Sequence, residues 1–227
     1  MQLILITDIF GEGEWTQSLL EGWRVLANSS PTLNVTCHLI SPYAQPQNFQ
    51  NEEDAYHAFV ASGGMDALIE RTKVLLQNLE KEAALANKAL NDVVLAGFSA
   101  GAAAAWCVND MKGSEYNIRH TIGFYPGQIR HYLELEPEGP ITLLFPVKEN
   151  HFELAPVINE LTKKALCTCW QNNLPHGYLN PNSVNYRRDA SRRMLEYLQD
   201  IILLANPKAF NSGLTQLGFN YKEIACT

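Results

Sequence analysis

The sequence predicts an open, mostly parallel α/β sheet with helices on both faces. Two observations carry that reading. Short apolar runs recur at residues 2–7 (QLILIT), 92–97 (DVVLAG) and 141–147 (ITLLFPV). They are continuous rather than alternating, as strands buried on both faces require. Between them lie longer stretches with apolar residues at three-to-four spacing, the mark of amphipathic helices. Strands alternating with helices imply crossover connections and a parallel sheet.

The elements follow in order. Residues 2–7 form the first strand. Residues 14–26 carry Trp15, Leu19, Trp23 and Leu26 on one stripe, a helix. Residues 34–40 (NVTCHLI) are rich in β-formers and stop at Ser41-Pro42, so they read as a strand. A polar loop spans 43–51, and 52–85 is largely helical with a break at Gly63-Gly64. The strand at 92–97 leads into a helix of very small residues at 100–108. Residues 121–125 form a strand stopped by Pro126-Gly127. After the strand at 141–147 come a helix at 154–163 and a short strand at 165–170. A closing helix at 189–204 aligns Met194, Tyr197, Leu198, Ile201 and Leu204. Every strand is thus expected to be followed by a helix. The whole of 1–227 is expected to be a single domain, although 207–227 shows no period and finds no place in the pattern.

Composition narrows the function classes. The 227 residues include 17 basic and 24 acidic side chains, giving a net charge of −7, with 46% hydrophobic and 18% charged residues. This is globular, neither disordered nor fibrous. The acidic balance disfavours a nucleic-acid surface. No run approaches the roughly 18 apolar residues of a membrane span. The first strand begins without a basic segment and meets Asp8 at once, so no signal peptide is expected. Five cysteines, Cys37, Cys107, Cys167, Cys169 and Cys226, show no CxxC spacing. Reduced thiols and a cytoplasmic location are the expectation. Cys167 and Cys169 share one strand face, without metal-ligand spacing around them.

Chemistry belongs at the carboxyl ends of the strands. There the strand at 92–97 runs into Gly97-Phe98-Ser99-Ala100-Gly101 and then a helix. This G-x-S-x-G turn must be tight, and a Cβ at either glycine would collide with strand or helix. The turn lifts the Ser99 hydroxyl clear of the sheet, and the helix N-terminus favours negative charge beside it. A turn in which Ser99 only caps the helix is the alternative.

A serine nucleophile needs a base. His57 lies in a helical stretch and is expected in solvent. His120 precedes a strand, at the wrong end of the sheet. His38 lies within a strand, as a core histidine. His131 and His151 both follow strands. His176, in Leu174-Pro175-His176-Gly177-Tyr178, sits in a strand-end loop between the last short strand and the last long helix. It is the favoured base, with His151 the competitor. No cofactor is expected, because no phosphate-binding glycine motif and no metal-spaced His/Cys cluster is present.

Four segments resemble the dienelactone hydrolase family of the α/β-hydrolases. They are Asp8-Ile9-Phe10-Gly11 after the first strand, the elbow at 97–101, Asn150-His151-Phe152, and His176-Gly177-Tyr178-Leu179-Asn180-Pro181 with Ser183, Asn185 and Tyr186 behind it. The resemblance implies an α/β-hydrolase fold. It implies a nucleophile, acid and histidine in that chain order, with an oxyanion hole from the backbone N–H groups of Ile9 and Ala100. It also places Asp8 beside the resting nucleophile, where a helix cap or a solvent-facing carboxylate are the alternatives.

The chain departs from the family in four ways. Ser99 replaces the elbow cysteine. The N-terminal hairpin that often opens the family is not expected, because the sequence starts at the oxyanion strand. Gln45 and Asn180 stand where arginines would clamp a dienelactone carboxylate, so that substrate loses its main contact. The acid is displaced: counting from Pro140 gives Glu149, counting back from His151-Phe152 gives Asn150, and Glu153 is a third candidate. Glu149 is favoured, because a carboxylate stabilises the imidazolium and an amide only orients the ring.

The expected function is a serine hydrolase cleaving a small ester, lactone or thioester, with Ser99, His176 and Glu149 as its triad. The expected partner is that small-molecule substrate, with neither nucleic acid nor membrane; a homodimer is left open. A catalytically weak homologue that binds ligands or proteins is the second reading, and acyl transfer to an alcohol the third.

Overall fold

A computed structural model describes residues 1–29, 34–90, 92–110 and 117–222. Among them seven strands form one sheet: β1 (Gln2–Ile6), β2 (Thr36–Ile40), β3 (Val93–Phe98), β4 (Ile118–Phe124), β5 (Ile141–Phe145), β6 (Cys167–Gln171) and β7 (Asn220–Lys222). The spatial order is β2-β1-β3-β4-β5-β6-β7, parallel throughout except for β7, which runs antiparallel to β6. The helices are α1 (Glu14–Ser29), α2 (Glu52–Ala61), α3 (Gly64–Leu85), α4 (Ala100–Asn109), α5 (Leu154–Leu161), α6 (Arg188–Ile202) and α7 (Pro207–Leu214).

The apolar run of β1 explains why helices cover both faces. Leu3, Ile4, Leu5 and Ile6 have no exposed surface. Successive side chains point to opposite faces, so Leu3 and Leu5 join Leu19, Trp23 and Leu198 of α1 and α6, while Ile4 and Ile6 join Leu68, Leu76 and Ala104 of α3 and α4. Each such side chain contributes roughly 1.5–3 kcal/mol when fully buried. A third cluster packs β5 against α4 and α5 through Leu143, Phe145, Trp106 and Leu161. The helical stretch 52–85 breaks where expected, at Gly63 and Gly64, both with positive φ.

The chain passes from β1 outward to β2, then returns to place β3 on the other side of β1. This reversal makes a topological switch point, and the crevice beyond the carboxyl ends of β1 and β3 is where such sheets hold ligands.

Three expectations are corrected. β4 is not followed by an α-helix but by a 3-10 turn, Gly127–His131. Past His131 the segment runs into Pro137, Gly139 and Pro140, which close it off before β5. β4 also begins earlier than expected, at Ile118, so His120 lies within the strand. There it is buried, with Nε2 2.9 Å from Thr142 Oγ1, and burial pulls its pKa down to about 3. His38 sits on the edge strand β2, half-buried, 2.7 Å from Gln2 Oε1, rather than in the core.

Residues 207–222, unplaced by periodicity, form α7, a short 3-10 turn and β7. Asn206 caps α7 by accepting from the N–H groups of Lys208 and Ala209, with Pro207 at the first helical position. Phe210 and Leu214 are buried. Cys226 lies outside the described residues. Cys167 and Cys169 share a face as expected, their sulfurs 3.8 Å apart, both free thiols. No helix among the described residues is long and apolar enough to cross a membrane.

Candidate active site

Ser99 stands on the turn between β3 and α4 with φ 50° and ψ −111°. Positive φ is costly for a residue with a Cβ, and the surroundings hold it there. Its N–H donates to Phe124 O of β4 at 2.9 Å. A Cβ on Gly97 would strike the Gly101 backbone, and one on Gly101 would strike the carbonyls of Ile6 and Thr7. The two glycines therefore let α4 start flush against β3 and the end of β1. The alanines after Ser99 serve the same closeness: Ala100, Ala102, Ala103, Ala104 and Ala105 are all buried.

Ser99 Oγ lies 2.9 Å from His176 Nε2, and His176 Nδ1 lies 2.8 Å from Glu149 Oε1. A carboxylate only accepts. Nδ1–H therefore donates to Glu149, leaving Nε2 to accept the serine hydroxyl proton. The Glu149 side chain is 10% exposed and that of His176 26%, so the relay is sheltered yet open on one side. The loop carrying Glu149 leaves β5 and is tied to the β6 end. Val147 N donates to Leu174 O at 2.8 Å, and Gln171 Nε2 donates to Pro146 O at 3.0 Å.

The structure thus brings Ser99, His176 and Glu149 together. Asn150, His151 and Glu153 are exposed, and Glu153 occupies the position before α5. His57 and His131 are also exposed. Ile9 lies in the turn after β1, beside the start of α4. Among the described residues neither the Ile9 nor the Ala100 N–H has a hydrogen-bond partner, and Ile9 O is held by the Tyr43 hydroxyl at 2.6 Å. Backbone N–H groups without a partner are the kind of donor that a developing oxyanion needs.

Asp8 neither caps a helix nor faces solvent. It is 4% exposed, and its carboxylate accepts from Phe10 N at 3.0 Å and from Asn180 Nδ2 at 2.6 Å. Burial pushes its pKa up to about 6, against the opposing pull of those two hydrogen bonds and of His176.

Sequence reasoning missed two groups. Tyr125, with φ 40°, is fully buried and sets its ring 4.9 Å from the His176 ring. Gly127 faces the relay: a Cβ there would sit 3.5 Å from both Glu149 Oε1 and His176 Cε1. The only hint was the strand stop Pro126-Gly127. No group of three or more His, Cys, Asp or Glu side chains suited to a metal occurs among the described residues.

A seven-stranded, mostly parallel sheet with a serine elbow at its switch point is the α/β-hydrolase fold, and comparisons with known proteins agree. The chain is similar to a Klebsiella pneumoniae protein provisionally named a dienelactone hydrolase, at 15% identity and TM-score 0.60, over 86% of this chain and 85% of that one. It is also similar to Est1E from Butyrivibrio proteoclasticus, at 10% identity and TM-score 0.51, over 90% and 87% of the two chains. In sequence it is 27% identical over 141 residues to the uncharacterized protein YczH of Bacillus subtilis, a match covering 61% of this chain and 63% of YczH. The chain therefore spans less than two thirds of the curated relative it matches. No family model matches the chain.

Proposed function

We propose that the protein is a serine hydrolase of the dienelactone hydrolase type, cleaving a small ester, lactone or thioester through an acyl-enzyme on Ser99. The observation that carries this is the continuous relay Ser99–His176–Glu149, at 2.9 and 2.8 Å. The fold shared with the protein named a dienelactone hydrolase and with Est1E supports it.

In the proposed reaction Ser99 Oγ attacks the substrate carbonyl as His176 Nε2 takes its proton. Glu149 holds the ring in the required tautomer and stabilises the imidazolium. The N–H groups of Ile9 and Ala100 receive the oxyanion, each donor worth a few kcal/mol of barrier. His176 then returns the proton to the leaving alcohol or thiol. Water deacylates the enzyme by the same route. Gln45 and Asn180 offer no bidentate cation, so neutral substrates fit the reading better than a dienelactone carboxylate.

A panel of p-nitrophenyl esters of graded chain length tests the proposal, together with labelling of Ser99 by a fluorophosphonate. Turnover and labelling by the wild type, both lost in Ser99→Ala, support it. Retention of more than about one tenth of kcat by Ser99→Ala overturns it, since loss of a triad nucleophile costs orders of magnitude.

A further inference from the structure

The loop that carries Ile9 and the loop that carries His176 come from opposite ends of the sequence, and one buried contact joins them. Asp8 and Asn180 are 172 residues apart, and Asn180 Nδ2 donates to Asp8 Oδ2 at 2.6 Å. Asn180 has no exposed surface and Asp8 only 4%. Both side chains are otherwise committed to their own loops. Asp8 Oδ1 accepts from Phe10 N at 3.0 Å, and Asp8 O accepts from Gly11 N at 3.0 Å, which shapes the turn around Ile9. Asn180 Oδ1 accepts from Asn182 N at 2.8 Å, and Asn180 N donates to Gly177 O at 3.0 Å, one residue from His176.

We infer that Asp8 and Asn180 are a positioning pair that sets the Ile9 N–H and the His176 ring in register with Ser99. This rests on the hydrolase reading above. The site needs its parts aligned to within a fraction of an ångström, yet the Ile9 N–H and the base arrive on separate loops. A surface contact would let them drift. A buried, charge-assisted hydrogen bond is short and directional, and each partner has its remaining bonds fixed, so neither can turn away without leaving a buried polar atom unmet. Neither side chain bonds to Ser99, His176 or Glu149, so the pair acts through the two loops it joins. Tyr43 completes the arrangement from outside by holding Ile9 O.

The polarity of the bond can be reversed, which gives the test. Asp8→Asn leaves two amides facing, and Asn180→Asp leaves two carboxylates facing. The double variant restores one donor and one acceptor. Each is assayed with p-nitrophenyl acetate beside the wild type, with melting temperature and fluorophosphonate labelling of Ser99 measured in parallel. Each single change is expected to lower kcat by on the order of 10- to 100-fold, as for other misplacements of a reacting group, with KM changed little. The double variant should recover most of the loss. A residue that only stabilises the fold would shift the melting temperature without the kcat-specific loss. If a single variant does not fold, Asn180→Ala, which removes the donor to Asp8 together with the acceptor of the Asn182 N–H, is expected to show the same loss of kcat. Single variants as active as the wild type, or a folded double variant no better than either single, overturn the inference while the hydrolase reading stands. A wild type that neither turns over esters nor labels overturns both.

Discussion

The Tyr125 ring leans on the His176 imidazole, the two centroids 4.9 Å apart and the planes tilted by 52°. Its hydroxyl is buried and has no hydrogen-bond partner among the described residues. The ring, not the oxygen, supports the histidine. Tyr125→Phe should therefore leave esterase kcat within a few-fold and hold or raise stability, because it removes an unmet polar group worth about 1–3 kcal/mol. Tyr125→Ala should cost about 3–5 kcal/mol, as expected for an emptied aromatic site, and should lower kcat as the imidazole loses its backing. Chemical denaturation and an ester assay on the two variants check this.

Strain at Ser99 predicts a stability–activity trade. The positive φ disappears as a cost when glycine replaces serine. Ser99→Gly should raise unfolding free energy by about 1 kcal/mol while eliminating ester turnover. Ser99→Ala keeps the strained Cβ and should gain less. A stability ranking with alanine above glycine would contradict the strain.

Glu149 and its neighbour should behave oppositely. Glu149→Gln should lower kcat by orders of magnitude, as amide replacement of a triad acid does. Asn150→Asp adds a charge to an exposed loop position and should change kcat little. Steady-state kinetics on the pair of variants decides, since a shifted acid would invert the order.

Asp8 gives a pH signature in stability. Its folded-state pKa is raised to about 6, chiefly by burial, whereas an unfolded Asp titrates near 3.9. The folded state then binds the proton more tightly, so stability falls as pH rises between those values and stays at the lower level above them. The difference is at most about 3 kcal/mol. Asn180 and the Phe10 N–H face the carboxylate, with Tyr43, Tyr125, His176 and Glu52 within electrostatic reach. Unfolding free energies of wild type and Asp8→Asn, measured from pH 4 to pH 7.5, should diverge in that sense. A constant difference across the range would count against it.

Much of this arrangement was legible in the residues. Continuous apolar runs announced β1, β3 and β5, because strands covered on both faces have no polar side to keep. The serine elbow was legible because its geometry admits only glycine at Gly97 and Gly101. Other parts were not. β7 spans only Asn220–Lys222, too short for an alternation to register. The turn after β4 has neither period, and its first residues, Gly127–His131, start helically before the prolines close the segment off. Glu149 and Asn150 are adjacent in a loop, where spacing counts fail by one residue and only the path of the backbone tells them apart. The Asn180 side chain suggested a missing cation, and its partner Asp8 was invisible, because a hydrogen bond across 172 residues leaves no local pattern.

The antiparallel strand β7 has a consequence for how the site is assembled during synthesis. β6 ties down the Glu149 loop through Gln171, and Gln171 itself pairs with Asn220 of β7, while Trp170 meets Tyr221 at 5.3 Å. Until residues 220–222 emerge, β6 is a bare edge, free to fray or to pair with another chain. The serine and its elbow can settle once β1, β3, β4 and α4 are in place, well before β7 is made. The acid waits for its support until the sheet is closed on its far margin, so a nascent chain holds an elbow well before it holds a working relay.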